Sequence, residues 1–577
     1  MKIENRNRDT LLIAVLGAAA LLFMLLATDE FARRTGSQRG VSEWILAPTG
    51  FLIAVAAFAA WRTFRRTWWI SLPLLASAAG VVVQVALIGF KISSAGGDGP
   101  VAVYIANAMI VHALVLTTTV IAFRTRIDSS PRLAYETPFA RLTLLVVLFV
   151  FLSLVSGSFL TIAGAPAVCR SWPLCGPDLI PKNGLEWIAL MHRLTVGVSG
   201  ALMLTVLILG WRTQRYRSST MVMLTVAALL FLAQILIGAV MALREPDVAM
   251  IALHVATGPA VWAAVIVLAV NVGLARPTTE GEGLSAFHSR RPGERVRDFL
   301  ALTKPIIVLL LLATTLAGMV VGLGAWPPAA TIFWTLLGGA LAAGGSGAIN
   351  QFIDRDVDAL MKRTAARPLA AGRLTPAEGL AFGVGLCLSA FYLLAVFVNL
   401  LAAALAVVGM FYYVWLYSIV LKKATVQNIV IGGGAGSIPP LVGWAAATGS
   451  LTVPSLLLFA IVFFWTPPHF WALALLRSRD YARGGIPMLP VVRGEAETCR
   501  QILVYTVLLV GITLLAPVVG LAGMVYFAGA LILGAGLISI AWRLWRGYTP
   551  KLAWRMYRWS SMYLFFLFAV MMVDVLI

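Results

Sequence analysis

Charge is scarce in this chain: Asp, Glu, Lys and Arg make up only 12% of its 577 residues, about half the usual share of a globular domain. A fully solvated surface is thereby excluded. Acidic residues number only 24, so each carboxylate set in an apolar stretch stands out. With four cysteines the chain is no disulfide scaffold, and its five histidines are few enough to weigh singly. What is abundant is apolar sequence, 60% of the total, in runs of about 18 or more residues, the length that crosses a hydrocarbon core. About seventeen runs begin near Leu11, Trp44, Trp69, Val101, Leu142, Leu185, Met221, Ala249, Pro305, Ala329, Pro376, Leu400, Gln427, Val453, Ile502, Met524 and Met556. The fold class expected is an all-α polytopic membrane protein. The net charge of +20 does not point to nucleic acid, because most Lys and Arg fall in alternate inter-span segments. Their asymmetry predicts a cytoplasmic N-terminus and an outward C-terminus. The polar head Met1–Thr10 reads as the start of a retained anchor rather than a cleaved signal.

The longest polar interruption, 276–303, is rich in Arg, Glu, Gly and Ser, and Pro277 and Pro292 break helices there. It predicts a cytoplasmic linker between an eight-helix module (1–275) and a nine-helix module (304–577). The first module carries a weak repeat: Val83-Gln84-Val85-Ala86-Leu87-Ile88-Gly89 is echoed by Ala233-Gln234-Ile235-Leu236-Ile237-Gly238, and Glu43-Trp44-Ile45 by Glu186-Trp187-Ile188. Two tandem four-helix bundles are expected, a diverged one (1–130) and a second (140–275). Cys169 and Cys175 share one loop on the side expected to be oxidising, where a disulfide persists.

In the second module, Asn350, Asp354 and Asp358 recur at four-residue spacing near the predicted cytoplasmic end of a span. That spacing keeps them on one helical stripe, and oxygen donors so grouped suit Mg²⁺ beside a substrate phosphate. Asp356 points elsewhere. Asp480 ends a later span on the same side, and Lys362, Arg363, Arg367, Arg373, Lys422 and Lys423 lie around the acidic positions. Such cations suit a diphosphate leaving group. The plainer alternative is that the acids solvate a helix end while the cations follow the positive-inside bias.

These residues resemble those of the heme O synthases, the protoheme IX farnesyltransferases of the intramembrane prenyltransferase superfamily. The matching motifs are Asn350-x-x-x-Asp354-x-x-x-Asp358, then Met361-Lys-Arg-Thr-x-x-Arg367-Pro-Leu-x-x-Gly372-Arg373, Gly432 to Pro440, Trp465-Thr-Pro-Pro-His469-Phe-Trp, and Asp480-Tyr481-x-x-x-Gly485-Ile-Pro487-Met-Leu-Pro490. The resemblance, over roughly 297–577, implies transfer of a farnesyl group from farnesyl diphosphate to a vinyl of protoheme IX, giving heme O. It implies that Asn350, Asp354, Asp358 and Asp480 hold Mg²⁺ and diphosphate, with Arg355, Lys362, Arg363, Arg367 and Lys422 on phosphate. Where other branches carry a further Asp after Tyr481, this chain has Arg483 and Gly484, which favours the heme branch over the aromatic (quinone) prenyltransferases. His469 is either a heme-positioning residue or a hydrogen-bonded packing residue.

The first module places His112, His192 and His254 in apolar spans. Imidazole is a common axial ligand of heme iron, and helix bundles bind cofactors between facing helices; interhelical hydrogen bonding is the plainer reading. The loop Cys169-Arg-Ser-Trp172-Pro-Leu-Cys175 followed by Met191-His192-Arg193 resembles heme A synthase, mainly over 140–275. That implies a heme b cofactor and oxidation of a heme O methyl group to the formyl of heme A. Two departures matter: Thr49 occupies the place equivalent to His192 in the first repeat, and Ala189 stands where the family often has a glutamate. Together the resemblances imply a two-module enzyme of heme A biosynthesis in a bacterial-type plasma membrane. Its partners would be the lipid bilayer, a redox donor and terminal-oxidase assembly factors. The rival reading joins the farnesyltransferase to a non-catalytic heme-binding or assembly module.

Overall fold

The computed structural model describes residues 2–35, 40–63, 68–93, 98–124, 133–165, 169, 171–175, 180–275 and 291–577. The linker stretch 276–290 lies outside these, as do the side chains of the Met1–Thr10 head and of Glu43, Trp44 and Ile45. No strand occurs among the described residues, and the chain divides into two compact units, Met1–Glu280 and Gly281–Ile577.

The first unit comprises α1 (Lys2–Thr35), α2 (Gly40–Thr63), α3 (Trp68–Ser93), α4 (Asp98–Arg124), α5 (Pro138–Ile162), α6 (Gly184–Thr213), α7 (Ser218–Leu243) and α8 (Val248–Gly273). Consecutive helices pair, and α4 and α1 also pack on α8, so the two four-helix halves share one bundle. Local sequence sets the helix starts. Thr137, Asn183 and Asp247 each accept a hydrogen bond from the amide three residues on, satisfying a donor that the first turn leaves free.

The second unit begins with a short helix α9 (Pro292–Leu302), followed by α10 (Pro305–Leu323), α11 (Ala329–Leu360), α12 (Pro376–Phe397) and α13 (Leu400–Phe411). A π-helical segment, Tyr412–Leu421, continues α13. Then come α14 (Asn428–Gly432), α15 (Gly434–Thr448), α16 (Val453–Leu476), α17 (Ser478–Arg483), α18 (Leu489–Val492), α19 (Gly494–Thr513), α20 (Met524–Arg546) and α21 (Pro550–Leu576). The expected linker thus contains a helix at its end. Pro292 does not break it but starts it, because proline at the first helical position forfeits no intrahelical bond. Small residues bring helices together where lipid gives no hydrophobic drive: a methyl on Gly443 would overlap the Thr315 carbonyl, and one on Gly345 would lie 2.7 Å from both Cys387 Sγ and the Gly383 carbonyl oxygen.

Among the described residues fifteen helices are long and apolar enough to span a membrane, and shorter apolar stretches, Pro48–Ala60 and Leu72–Leu87, occupy the two remaining predicted positions. Their outward faces carry large exposed apolar side chains such as Ile13, Phe51, Ile306 and Ile532, as a lipid-facing surface requires. The protein is an all-helical, multi-pass membrane protein.

Candidate functional site

Residues at the C-terminal end of α11 form a buried polar row. Asn350, Asp354 and Asp358 are 3%, 2% and 1% exposed, while Asp356 is turned outward and its side chain is 82% exposed. Burying carboxylates is costly unless they are paired, and each here has a cation. Lys422 forms an ion pair with Asp354 Oδ2, and Arg367 NH1 lies 2.7 Å from Asp358 Oδ2. Lys422 reaches the row because the helix before it widens: in the π-helical segment the Lys422 amide bonds the Tyr417 carbonyl five residues back. The same widening directs Ser418 at the row, where its hydroxyl accepts from Asn350 Nδ2 at 3.0 Å. Such segments recur at functional sites. The second oxygen of Asp358 is buried with no hydrogen-bond partner, an oxygen donor free for a cation.

The end of α11 also meets α17. A methyl on Gly484 would touch Val357 and Met361, and the Arg363 guanidinium lies 5.8 Å above the Tyr481 ring. Asp480, on the same short helix as Tyr481, is paired only loosely, with Arg483 at 3.5 Å. Among the described residues no three His, Cys, Asp or Glu side chains already form a metal-sized cluster. Arg355 stays on its own helix, donating to the Phe352 carbonyl at 2.8 Å and lying against that ring. Lys362 is exposed.

Three residues join this site that the sequence reading passed over. Lys304, between α9 and α10, donates from Nζ to Asn350 Oδ1 at 2.7 Å and to the Tyr413 hydroxyl at 3.3 Å. Burial, with Arg367 nearby, pushes its ammonium down to about 8 against the opposing pull of Asp354 and Asp358. Tyr413 and Ser418 complete the set. A Lys-Pro pair opening a span and an aromatic run closing one were the available signals; neither reads as chemistry without the third dimension.

His469 lies apart from these contacts. It is 8% exposed, bonded through Nδ1 to Ser560 Oγ at 2.9 Å and stacked between Trp465 and Tyr557 at 4.4 and 4.6 Å. These are the contacts of a packing residue.

In the first unit, His192 and His254 line one cavity of about 840 Å³, within the size range of small-molecule and cofactor sites. Their seats are alike. A methyl on Gly157 of α5 would lie 3.0 Å from the His192 ring, and one on Gly238 of α7 would lie 3.2 Å from the His254 ring. Ser156 Oγ bonds His192 Nδ1 at 2.9 Å, and the Gln234 side-chain nitrogen lies 3.3 Å from His254 Nε2. Two imidazoles lining one cavity, with the buried Gln234 Oε1 unpartnered beside them, are donors of the kind that heme iron takes. Cys169, Trp172, Pro173 and Leu174 line the cavity as well. Cys169 and Cys175 are joined in a disulfide, and Arg193 NH1 donates to the Pro173 carbonyl at 3.1 Å. Ala189 faces the cavity. Glu186 does not line it: its carboxylate accepts from the Lys182 amide and Asn183 Nδ2 at the start of α6. His112 is 1% exposed and Thr49 fully buried, and neither lines the cavity.

The model of the UbiA prenyltransferase family matches residues 311–568. A protein from Roseiflexus sp. (strain RS-1) named protoheme IX farnesyltransferase is 38% identical over 517 residues, covering 86% of this chain and 96% of that protein. Its namesake from Roseiflexus castenholzii is 39% identical over 533 residues, covering 88% and 98%. A shorter one from Symbiobacterium thermophilum is 50% identical over 285 residues, covering 49% of this chain and 95% of its own. Among solved structures, one described as a digeranylgeranylglyceryl phosphate synthase overlaps 49% of this chain and 99% of its own, at 17% identity and a TM-score of 0.43.

Proposed function

From the premise that the chain belongs to the protoheme IX farnesyltransferase family, we propose that its second unit joins the farnesyl group of farnesyl diphosphate to a vinyl carbon of protoheme IX, giving heme O. The Symbiobacterium relative supports assigning this chemistry to one unit, since nearly its whole length matches only half of this chain. The observation that carries the reading is the buried row Asn350, Asp354 and Asp358, with cations on both carboxylates and one carboxylate oxygen unpartnered.

Mg²⁺ would be held by Asp354, Asp358 and Asp480, where it would supply positive charge to the departing diphosphate. Arg367, Lys422 and Arg363 would partner the phosphate oxygens, and stabilising the leaving charge is usually the largest catalytic contribution. The apolar helix walls keep water from the allylic cation until the carbon–carbon bond forms. Water then adds to the heme-side cation and loses a proton, giving the hydroxyethylfarnesyl product. The charge bias of the loops supports placing this site on the cytoplasmic side of a bacterial plasma membrane, with the N-terminus inside and the C-terminus outside.

The first unit, on this reading, binds heme b through His192 and His254. Oxidation of heme O to heme A there is the further step implied by the motif resemblance. The cavity favours heme binding as the primary role, because Ala189 supplies no carboxylate next to His192 and Thr49 supplies no ligand in the first repeat.

The test is to incubate the purified full-length protein in detergent with protoheme, farnesyl diphosphate, Mg²⁺ and a reductant in air, and to identify the hemes by mass spectrometry. Heme O from the wild type and none from Asp354→Asn supports the farnesyltransferase; heme A besides supports both units as enzymes. No heme O from the wild type overturns the central reading.

A further inference from the structure

Among the described residues, Lys304 is the one non-glycine residue with a positive φ, at 54°. A left-handed conformation costs an L-residue roughly 1–2 kcal/mol and persists only where its surroundings enforce it. The enforcement comes from α11. Gln351 Nε2 donates to the Ala301 and Leu302 carbonyls at 3.2 and 3.1 Å, tying down the last turn of α9. Gly347 gives that corner room, since a methyl there would lie 3.3 Å from the Leu302 carbonyl oxygen. Pro305 follows at once as the first residue of α10. The outcome is a lysine stem laid along α11 with its ammonium on Asn350.

The partners of that ammonium are the second observation. Lys422 and Arg367 each hold a carboxylate, but Lys304 donates to two neutral oxygens, an amide and a phenol. An ammonium has three donors; two are used here, and among the described residues no ion pair involves Lys304. It is a shielded cation without a directly bound counter-ion, next to Asn350 and one helical turn from Asp354. Its bond also fixes the Asn350 amide: Oδ1 faces the ammonium, while Nδ2 donates to Asp354 Oδ2 at 2.8 Å and to Ser418. Held this way, the Asn350 amide oxygen faces the ammonium.

We propose that Lys304 is a further diphosphate-binding residue of this site, its third N–H donating to a phosphate oxygen of the allylic substrate, with Asn350 serving to position that ammonium. The proposal rests on the farnesyltransferase reading for the identity of the anion. The strained backbone, the tie from Gln351 and the neutral partners all follow from holding a cation ready for an anion that arrives with the substrate.

The test is equilibrium binding of inorganic diphosphate, with Mg²⁺, to the full-length protein in detergent, for the wild type, Lys304→Gln, Lys304→Arg and Lys304→Gly, alongside steady-state KM values for both substrates. A lost charge-assisted hydrogen bond corresponds to a roughly 10- to 100-fold weaker affinity. That loss is expected in Lys304→Gln and Lys304→Gly, with the KM for farnesyl diphosphate rising in step, the KM for protoheme within about twofold and partial rescue by Lys304→Arg. Glycine is at ease at this φ, so Lys304→Gly should melt no lower than the wild type, which separates anion binding from a structural role. Diphosphate affinity unchanged in Gln and Gly variants, or both KM values rising together with a lower Tm, overturns the proposal. A wild type that binds diphosphate but makes no heme O overturns the activity while leaving the Lys304 result readable; one that binds no diphosphate overturns both.

Discussion

Replacing Arg367 by Met should destabilise the second unit by an amount set by what is left behind. The Asp358 side chain is 2% exposed, and its bond to Arg367 is 2.7 Å; its other oxygen has no partner. Among the described residues no other side chain forms an ion pair with that carboxylate. Breaking a buried pair by removing one partner costs about 3–5 kcal/mol. Arg367 is 29% exposed, so water softens the loss and the lower end, about 3 kcal/mol, applies. Against a total stability of about 5–15 kcal/mol that is a large fraction. In the double variant Arg367→Met/Asp358→Asn the orphaned charge is gone, and all but about 1 kcal/mol should return, while heme O formation stays abolished. The assay is unfolding in mixed micelles followed by tryptophan fluorescence, beside product analysis. An Arg367→Met protein as stable as the wild type, or a double variant no more stable than the single one, would refute the claim that Asp358 is held as a buried, charge-paired group.

Three further outcomes are expected. Gly157→Ala and Gly238→Ala each put a methyl 3.0–3.2 Å from a cavity imidazole; overpacking of this kind costs about 1–3 kcal/mol, so heme affinity should fall roughly tenfold, read from optical titration with hemin, whereas Gly184→Ala, which meets no neighbour and lies off the cavity lining, should leave it unchanged. Lys422→Met should abolish diphosphate binding and lower the midpoint of unfolding, with Lys422→Met/Asp354→Asn regaining stability but not activity. Tyr135, just ahead of α5, donates its hydroxyl to the Ala269 carbonyl at 3.1 Å, and burial raises its pKa above the ordinary value near 10. The folded state then keeps a proton that the unfolded state releases, so stability is level below pH about 10 and falls above it; Tyr135→Phe should remove that part of the alkaline slope, as followed by unfolding at stepped pH.

The fold was legible because its physics is one-dimensional: a run of apolar residues long enough to cross a bilayer names a span wherever it falls. The same holds for Asn350, Asp354 and Asp358, whose common face follows from helical pitch. What escaped the sequence depends on departures from regular geometry. Lys304 needs a left-handed residue, and Ser418 joins the row, beside the Lys422 that the sequence does name, because ten residues wind as a π-helix. Pro292 was misread as a breaker because proline's effect depends on whether it falls inside a helix or at its first residue. The histidines divide for a related reason. His112, His192, His254 and His469 all sit in apolar spans, but among the described residues only His192 and His254 have a glycine opposite that leaves the ring at a cavity.

The pairing of both α11 carboxylates also constrains the order of events. With Lys422 on Asp354 and Arg367 on Asp358, the row is close to neutral before substrate arrives. A divalent cation entering alone would displace or crowd two fixed cations in a poorly screened setting, where like charges repel far more strongly than in water. A diphosphate entering alone would face two carboxylates. Entering together, the metal would be held by the carboxylates while Lys422 and Arg367 would turn to the phosphate beside Lys304, and every charge would gain an opposite partner. Mg²⁺ and diphosphate should therefore bind with strong mutual enhancement. Calorimetric titration of each in the presence and absence of the other should give a coupling of at least about tenfold, or ~1.4 kcal/mol. Tight binding of Mg²⁺ alone would mean that the carboxylates are not held by their cations, and independent binding of the two would sink the exchange of partners on which this order rests.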